Sequence, residues 1–302
     1  MSLLTALLNT VLPVFILASL GYIARVKLKA EPKEVAKVTI YFMTPGLILN
    51  SILTTELVAG DIGKIIGFGV LLTAIMIAVT MLLGWALGWR PAERSAATLT
   101  TAFMNAANFG LPVVLLALGQ AGFDRAAVFV VFESLMMYST AVFIAAQGKM
   151  DAKQALLAVF KLPLVWAVIA GLLVRLTGIT LPAMLMKPIG MLASATPVVV
   201  VIILGMQVAS IKMKGARVKI AAATLMRLFL SPAIAILLVG LLHPEPLIGK
   251  VLILESAMPA SVNVNLVAVQ FDAEPDQVSG ATLATTIFSL VSLTFWVWFV
   301  QR

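Results

Sequence analysis

Ten runs of about 20 apolar residues follow one another along this chain, joined by short polar connections. Each is long enough to cross a ~30 Å hydrocarbon core as a helix. They cover roughly 3–24, 36–55, 64–88, 94–120, 125–148, 155–176, 183–210, 218–242, 249–271 and 277–301. Inside a bilayer every backbone N–H and C=O must find a partner within the protein, so runs of this kind are confined to helices. The expected fold is all-α and integral to a membrane. Composition agrees: 62% of the 302 residues are hydrophobic and 11% charged, with a mean hydropathy of +1.10, which is too little charge to cover a soluble domain of this size. No connection is long enough for a second, soluble domain. The first run, Leu3 to Ala24, has no basic segment ahead of it and no small-residue cleavage site, and reads as a retained helix.

Two of the runs are interrupted, at matching places. The charge-free stretch from Ser95 to Phe123 contains Asn105-Ala106-Ala107-Asn108-Phe109-Gly110-Leu111-Pro112, and the run from Val251 to Phe271 contains Met258-Pro259-Ala260-Ser261-Val262-Asn263-Val264-Asn265. Proline and glycine remove or loosen helical hydrogen bonds, and asparagine amides can serve the groups set free. Irregular backbone at membrane depth is tolerated where it is buried in protein or lines a cavity. Both interruptions fall in the fourth run of a set of five, about halfway along it, so both are expected near the membrane midplane. Thr44-Pro45 recurs as Thr196-Pro197 and Asp124 as Asp276, each 152 residues later. The chain therefore divides into two repeats, 1–152 and 153–302, and five spans per repeat insert the halves in opposite orientations. Broken fourth and ninth spans crossing at the midplane are the plan of many secondary transporters.

The net charge of +8 would point to nucleic acid in a soluble protein. Here it reflects basic residues in the connections, and no nucleic-acid partner is expected. With the N-terminus outside, the connections assigned to the cytoplasm hold fourteen basic residues against six on the outer side, which puts both termini in the periplasm of a bacterial inner membrane. Cysteine is absent, and the single histidine, His243, stands in a His-Pro-Glu-Pro loop and reads as a solvated turn residue. No metal site, cofactor or histidine acid–base chemistry is expected, and no enzyme motif is found.

The stretch Asn105 to Pro112, together with Met258 to Asn263, resembles the auxin efflux carrier family, and the similarity covers essentially the whole chain. Members of that family are carriers of organic anions, among them plant auxin exporters and bacterial permeases for dicarboxylates. The resemblance implies a fold shared with bile-acid symporters and sodium–proton antiporters, with spans 1, 2, 6 and 7 as a scaffold and spans 3–5 and 8–10 as a transport domain. It also implies a homodimer through the scaffold. The long loop that many plant members carry between spans five and six is replaced by Lys149-Met150-Asp151-Ala152-Lys153, as in the compact prokaryotic type.

The polar residues inside the spans have structural and functional readings. Asn105, Asn108, Asn263 and Asn265 cap broken helices and, at the crossing, offer amide donors to an anion. Pro112 and Pro259 mark the starts of half-helices whose positive dipole ends face it. Glu133, deep in the fifth span, is either a proton or cation carrier or a buried hydrogen-bonding group. Glu255, just before the second break, is a capping, gating or coupling group. Arg227 is either a counter-charge to the substrate or a residue that snorkels to its lysine-rich flank. Gly67, Gly69 and Gly84 are expected to allow close helix packing, and Trp85, Trp89, Trp296 and Trp298 to anchor span ends at the interface. The resulting expectation is a secondary transporter of a small organic anion, coupled to a proton or sodium ion, in a lipid bilayer. The rival readings are an ion antiporter without organic substrate and a non-transporting membrane receptor.

Overall fold

The computed structural model describes residues 2–55, 57–146, 160, 162–211 and 215–302. The connection Lys149–Lys153, most of the start of the sixth run and the basic residues Lys161, Lys212 and Lys214 lie outside the described residues. The described chain is helical: α1 Leu3–Leu28, α2 Pro32–Thr54, α3 Ala59–Ala86, α4 Pro91–Ala102, α5 Ala106–Ala145, α6 Pro163–Thr177, α7 Ala183–Val208, α8 Arg217–Leu242, α9 Pro246–Ser256, α10 Val264–Gln270 and α11 Pro275–Val300. Among the described residues seven helices, α1, α2, α3, α5, α7, α8 and α11, are long and apolar enough to cross a membrane. The shorter α4, α9 and α10 border the two interruptions. Five helices, α2, α4, α6, α9 and α11, begin on a proline, whose missing N–H costs nothing in the first turn.

Prolines also explain four of the five wide turns inside the described helices; the fifth, Met137–Ala141, has no proline after it. Wide π-helical turns at Leu7–Val11, Thr39–Met43, Ala106–Gly110 and Met226–Leu230 each end two residues before a proline: Pro13, Pro45, Pro112 and Pro232. A proline ring clashes with the carbonyl four residues earlier, and widening the turn relieves the clash without ending the helix. Pro197 is carried within α7 in another way. Thr196 Oγ1 donates to the carbonyl of Leu192 at 2.6 Å and to that of Met43 on α2 at 3.2 Å.

Several expectations are corrected by the structure. The first interruption is shorter and earlier than 105–112. Helix α4 ends at Ala102, Phe103 is extended (φ −108°, ψ 113°), and α5 starts at Ala106, so Asn108 and Pro112 lie inside the resumed helix. The connection expected between runs 94–120 and 125–148 is present but contracted to Gly119, whose φ of 71° and ψ of −170° suit a residue without Cβ; α5 is thus two helices, and Asn108 before the break and Glu133 after it reach one cavity. Trp296 is buried and its Nε1 donates to the carbonyl of Leu228 at 2.9 Å, so it is a core residue instead of an interfacial anchor. Gly69 and Gly84 do sit against Phe132 and Arg94, but Gly67 faces open space. The closest helix approach lies elsewhere: a Cβ on Gly21 of α1 would stand 2.0 Å from the Ile202 carbonyl oxygen, and one on Gly205 of α7 would stand 1.8 Å from that of Ala18.

Between described residues, the hydrogen bonds that join separate helices fall into two sets. One ties α1, α2, α6 and α7: Arg25 to Ser210, Thr196 to Met43, and Arg175 to the carbonyls of Ile52 and Leu57. The other ties α3, α4, α5 and α8–α11. At one end of that bundle Arg90 pairs with Glu274 at 2.6 Å and Lys219 with Glu93 at 2.7 Å. At the other end Arg125 pairs with Glu245 at 3.0 Å and Lys64 donates to the carbonyl of His243 at 2.9 Å. Contacts across the seam include α7 against the start of α5 and α1 against α11, with Phe15 edge-on to Phe109 at 5.7 Å between ring centroids.

Candidate functional site

The two interruptions meet. The N–H of Asn105 donates to the carbonyl of Pro259 at 2.8 Å, and that of Ser261 donates to the carbonyl of Phe103 at 3.0 Å, making an antiparallel bridge centred on Met104 and Ala260. Backbone groups released by one broken helix are thus served by the other. Thr285 Oγ1 of α11 accepts from the Ala260 N–H at 3.1 Å. The asparagine side chains do less of this work than the sequence suggests. Asn265 Nδ2 donates to the carbonyl of Val262 at 2.9 Å, but the side chains of Asn105 and Asn263, at the starts of α5 and α10, make no capping bond. Asn105 is only 2% exposed, and its Nδ2 has no partner. An unserved donor at that depth costs stability unless something binds it.

Arg227 closes the other side of the crossing. It is wholly buried on α8, and does not extend toward the lysine-rich end. Its guanidinium donates to the carbonyl of Thr101 at 2.7 Å and to Ser256 O and Ser231 Oγ. Thr101 and Ser256 stand in the last turns of α4 and α9, where carbonyls lack helical partners and the dipole is negative. One cation therefore caps the carboxyl-terminal ends of both broken helices.

Glu255 lies one residue before the end of α9, with no exposed surface and no hydrogen-bond partner for either carboxyl oxygen. It fills the space above Gly110: a Cβ there would be 2.1 Å from Glu255 Oε2. Glu133 on α5 is 7% exposed, its Oε1 is also unpartnered, and it lies within electrostatic reach of both Arg227 and Glu255. The three charges that are isolated in sequence are gathered around the crossing.

A cavity of about 90 Å³ opens beside the bridge. Its walls include Asn105 and Asn263 from the interruptions and Asn108, Glu133, Ser134 and Tyr138 from α5, with Thr39 and Thr44 of α2, Pro163 of α6 and Gln207 of α7. Both hydrogen-bonded sets of helices therefore contribute. Of the site residues singled out in the sequence, Asn105, Asn108, Asn263 and Glu133 line this cavity, and Pro112, Pro259, Asn265, Glu255 and Arg227 do not. Gln207, whose Oε1 is buried without a partner, was not singled out. Its signal was there, as an amide inside the apolar run 183–210, but its nearness to the end of the run concealed it.

The model of a family described as membrane transport protein matches residues 6–297. An uncharacterized transporter of Methanothermobacter thermautotrophicus is 28% identical over 300 residues, covering 95% of this chain and 96% of that protein. A second uncharacterized transporter, from Methanocaldococcus jannaschii, is 25% identical over 308 residues, covering 96% of this chain and 98% of its own length. The match runs through both interruptions and nearly every helix, and with it the chain belongs to the membrane transport protein family, that of the auxin efflux carriers.

Proposed function

We propose that this protein is a secondary carrier of a small carboxylate, working by alternating access with its substrate in the cavity beside the bridge. The observation that carries the reading is that cavity: it lies where two interrupted helices meet, holds an unserved buried donor on Asn105, and is walled by both sets of helices. The first turn of α5, through Ala106, Ala107 and Asn108, adds backbone N–H groups at the positive end of the helix that runs to Gly119. Its walls come from the first half of α2, the start of α6 and the last two turns of α7, the ends that the basic asymmetry assigns to the cytoplasmic side. The reading is thus of an inward-facing state with ten spans in two inverted repeats, and with both termini outside. The partition of hydrogen bonds supports a scaffold of α1, α2, α6 and α7 with the remaining helices as the moving body.

Protein in liposomes should exchange a labelled carboxylate with the external pool, and the Asn108→Ala, Asn263→Ala double variant should reconstitute with weakened uptake. Wild-type uptake by that variant would remove these amides from the site. Two buried carboxyls with unpaired oxygens, Glu133 and Glu255, favour a second reading, an ion antiporter. It requires proton or sodium flux in vesicles that contain no organic substrate.

A further inference from the structure

We infer that the occupant of the cavity is a compact zwitterion, an amino acid or close analogue with an ammonium group beside its carboxylate. The inference rests on the cavity being the transport site and concerns what that site selects. The residues that wall it carry unserved polar groups of two kinds. The donors are Asn105 Nδ2, on a side chain 2% exposed, and the first-turn backbone of α5. The acceptors are Oε1 of Glu133, on a side chain 7% exposed, and Oε1 of Gln207, both buried and without partners. A carboxylate matches the donors.

A plain carboxylate would leave both acceptors unserved and, with Glu133 ionised, would set its own charge against it in a poorly solvated space. A second carboxylate would double that repulsion, and among the described residues no lysine, arginine or histidine lines the cavity to offset it. A hydroxyl brings one donor and no charge. An ammonium brings three donors and a charge opposite to that of Glu133. Arg227 is within electrostatic reach of Glu133 but gives it no hydrogen bond, because its guanidinium donates to Thr101, Ser231 and Ser256. With Arg227 and Glu133 both ionised, a zwitterion adds no net charge to the buried cluster, whereas an anion adds one. Size agrees. A water needs roughly 10–15 Å³ measured in this way, so about 90 Å³ admits a molecule of roughly six to nine water-sized groups.

The test is a binding panel on the purified, detergent-solubilised protein, read by calorimetric titration and by thermal shift. Glycine, L-alanine and L-serine are compared with propionate, L-lactate and succinate, in the wild type and in Glu133→Gln. The expected result is that at least one amino acid binds ten-fold or more tightly than propionate and lactate, and that Glu133→Gln removes most of that lead. Propionate, lactate or succinate binding as tightly as the best amino acid would overturn the inference and leave the carboxylate carrier standing. An undiminished amino-acid preference in Glu133→Gln would overturn the assignment of Glu133 as the ammonium partner. Binding of none of the six would remove the carboxylate reading itself. The wild-type panel decides the ligand class even if Glu133→Gln fails to fold.

Discussion

Gly110 and Glu255 occupy one space, and neither is intelligible without the other. The carboxyl of Glu255 lies where the side chain of any other residue at 110 would begin. Gly110→Ala should therefore destabilise the protein by about 1–3 kcal/mol, as overpacking of a filled interior does. Shortening the opposing side chain in a Gly110→Ala, Glu255→Ser double variant should recover much of the loss, as read from melting temperature in detergent. An unrescued double variant would show that Gly110 is required for the wide turn at Ala106–Gly110 and not for its neighbour. The Asn-x-x-Asn-Phe-Gly-Leu-Pro stretch is conspicuous in the sequence because glycine, proline and paired amides are rare together in an apolar run. Its partners are not conspicuous. Glu133, Arg227 and Glu255 look like three unrelated charges, because their proximity depends on how α5, α8 and α9 cross, and local spacing carries no trace of that.

The interrupted helices show how polar groups at depth are satisfied. Arg227 joins the ends of α4 and α9, so Arg227→Leu would leave the carbonyl of Thr101 unserved, at about 1–3 kcal/mol, and that of Ser256 with the Ser231 hydroxyl alone. The variant should insert but melt earlier and lose flux; Arg227→Lys, with one compact charge in place of a fork, should recover only part. A variant that melts like the wild type would show that the two ends find other donors. At the end of α4 outside the spans, the Glu93 carboxyl is held down at about 2, first by its hydrogen bond from Lys219 and then by the Arg90 N–H, against an ordinary 4.5. A depressed carboxyl pKa contributes stability that is complete above the ordinary value and is lost as pH falls toward the folded one. The melting-temperature gap between wild type and Glu93→Gln should thus be constant above pH 5 and close between about 4.5 and 2. At the opposite end, burial works against ionisation of Glu245, but the Leu247 N–H and Arg125 outweigh it and hold that carboxyl below its usual range. Apart from the ends at 148 and 155, which lie outside the described residues, the outer ends of the apolar runs were legible to within about five residues. The place of the first break was not, because Pro112 signals a break while the chain answers it with a wide turn and stays helical.

For the whole molecule, alternating access requires that the seam slide while each hydrogen-bonded set stays intact. The chain has no cysteine, so introduced pairs report on single contacts. Bridging Thr80→Cys to Thr101→Cys, whose hydroxyls are 2.8 Å apart within one set, should leave flux unchanged. Linking Phe15→Cys to Phe109→Cys across the seam with a reducible bifunctional thiol reagent, which spans the room left by the two rings, should stop it until a reductant releases the link. Flux through the seam-locked protein would exclude relative motion of the two bodies. The apolar class and the interruptions were readable from sequence; the seam was not, since it is defined by which helices decline to exchange hydrogen bonds. The bridge between residues 103–105 and 259–261 also has a meaning for how the protein is made. The Asn105 N–H must wait for Pro259, some 150 residues and about 8–30 s of synthesis later, before it meets its partner. Until then the nascent first half sits in the bilayer with an open wound in its fourth helix, as a client for whatever shields unfinished membrane chains. Its two halves, made as separate polypeptides, would have to be born together to survive.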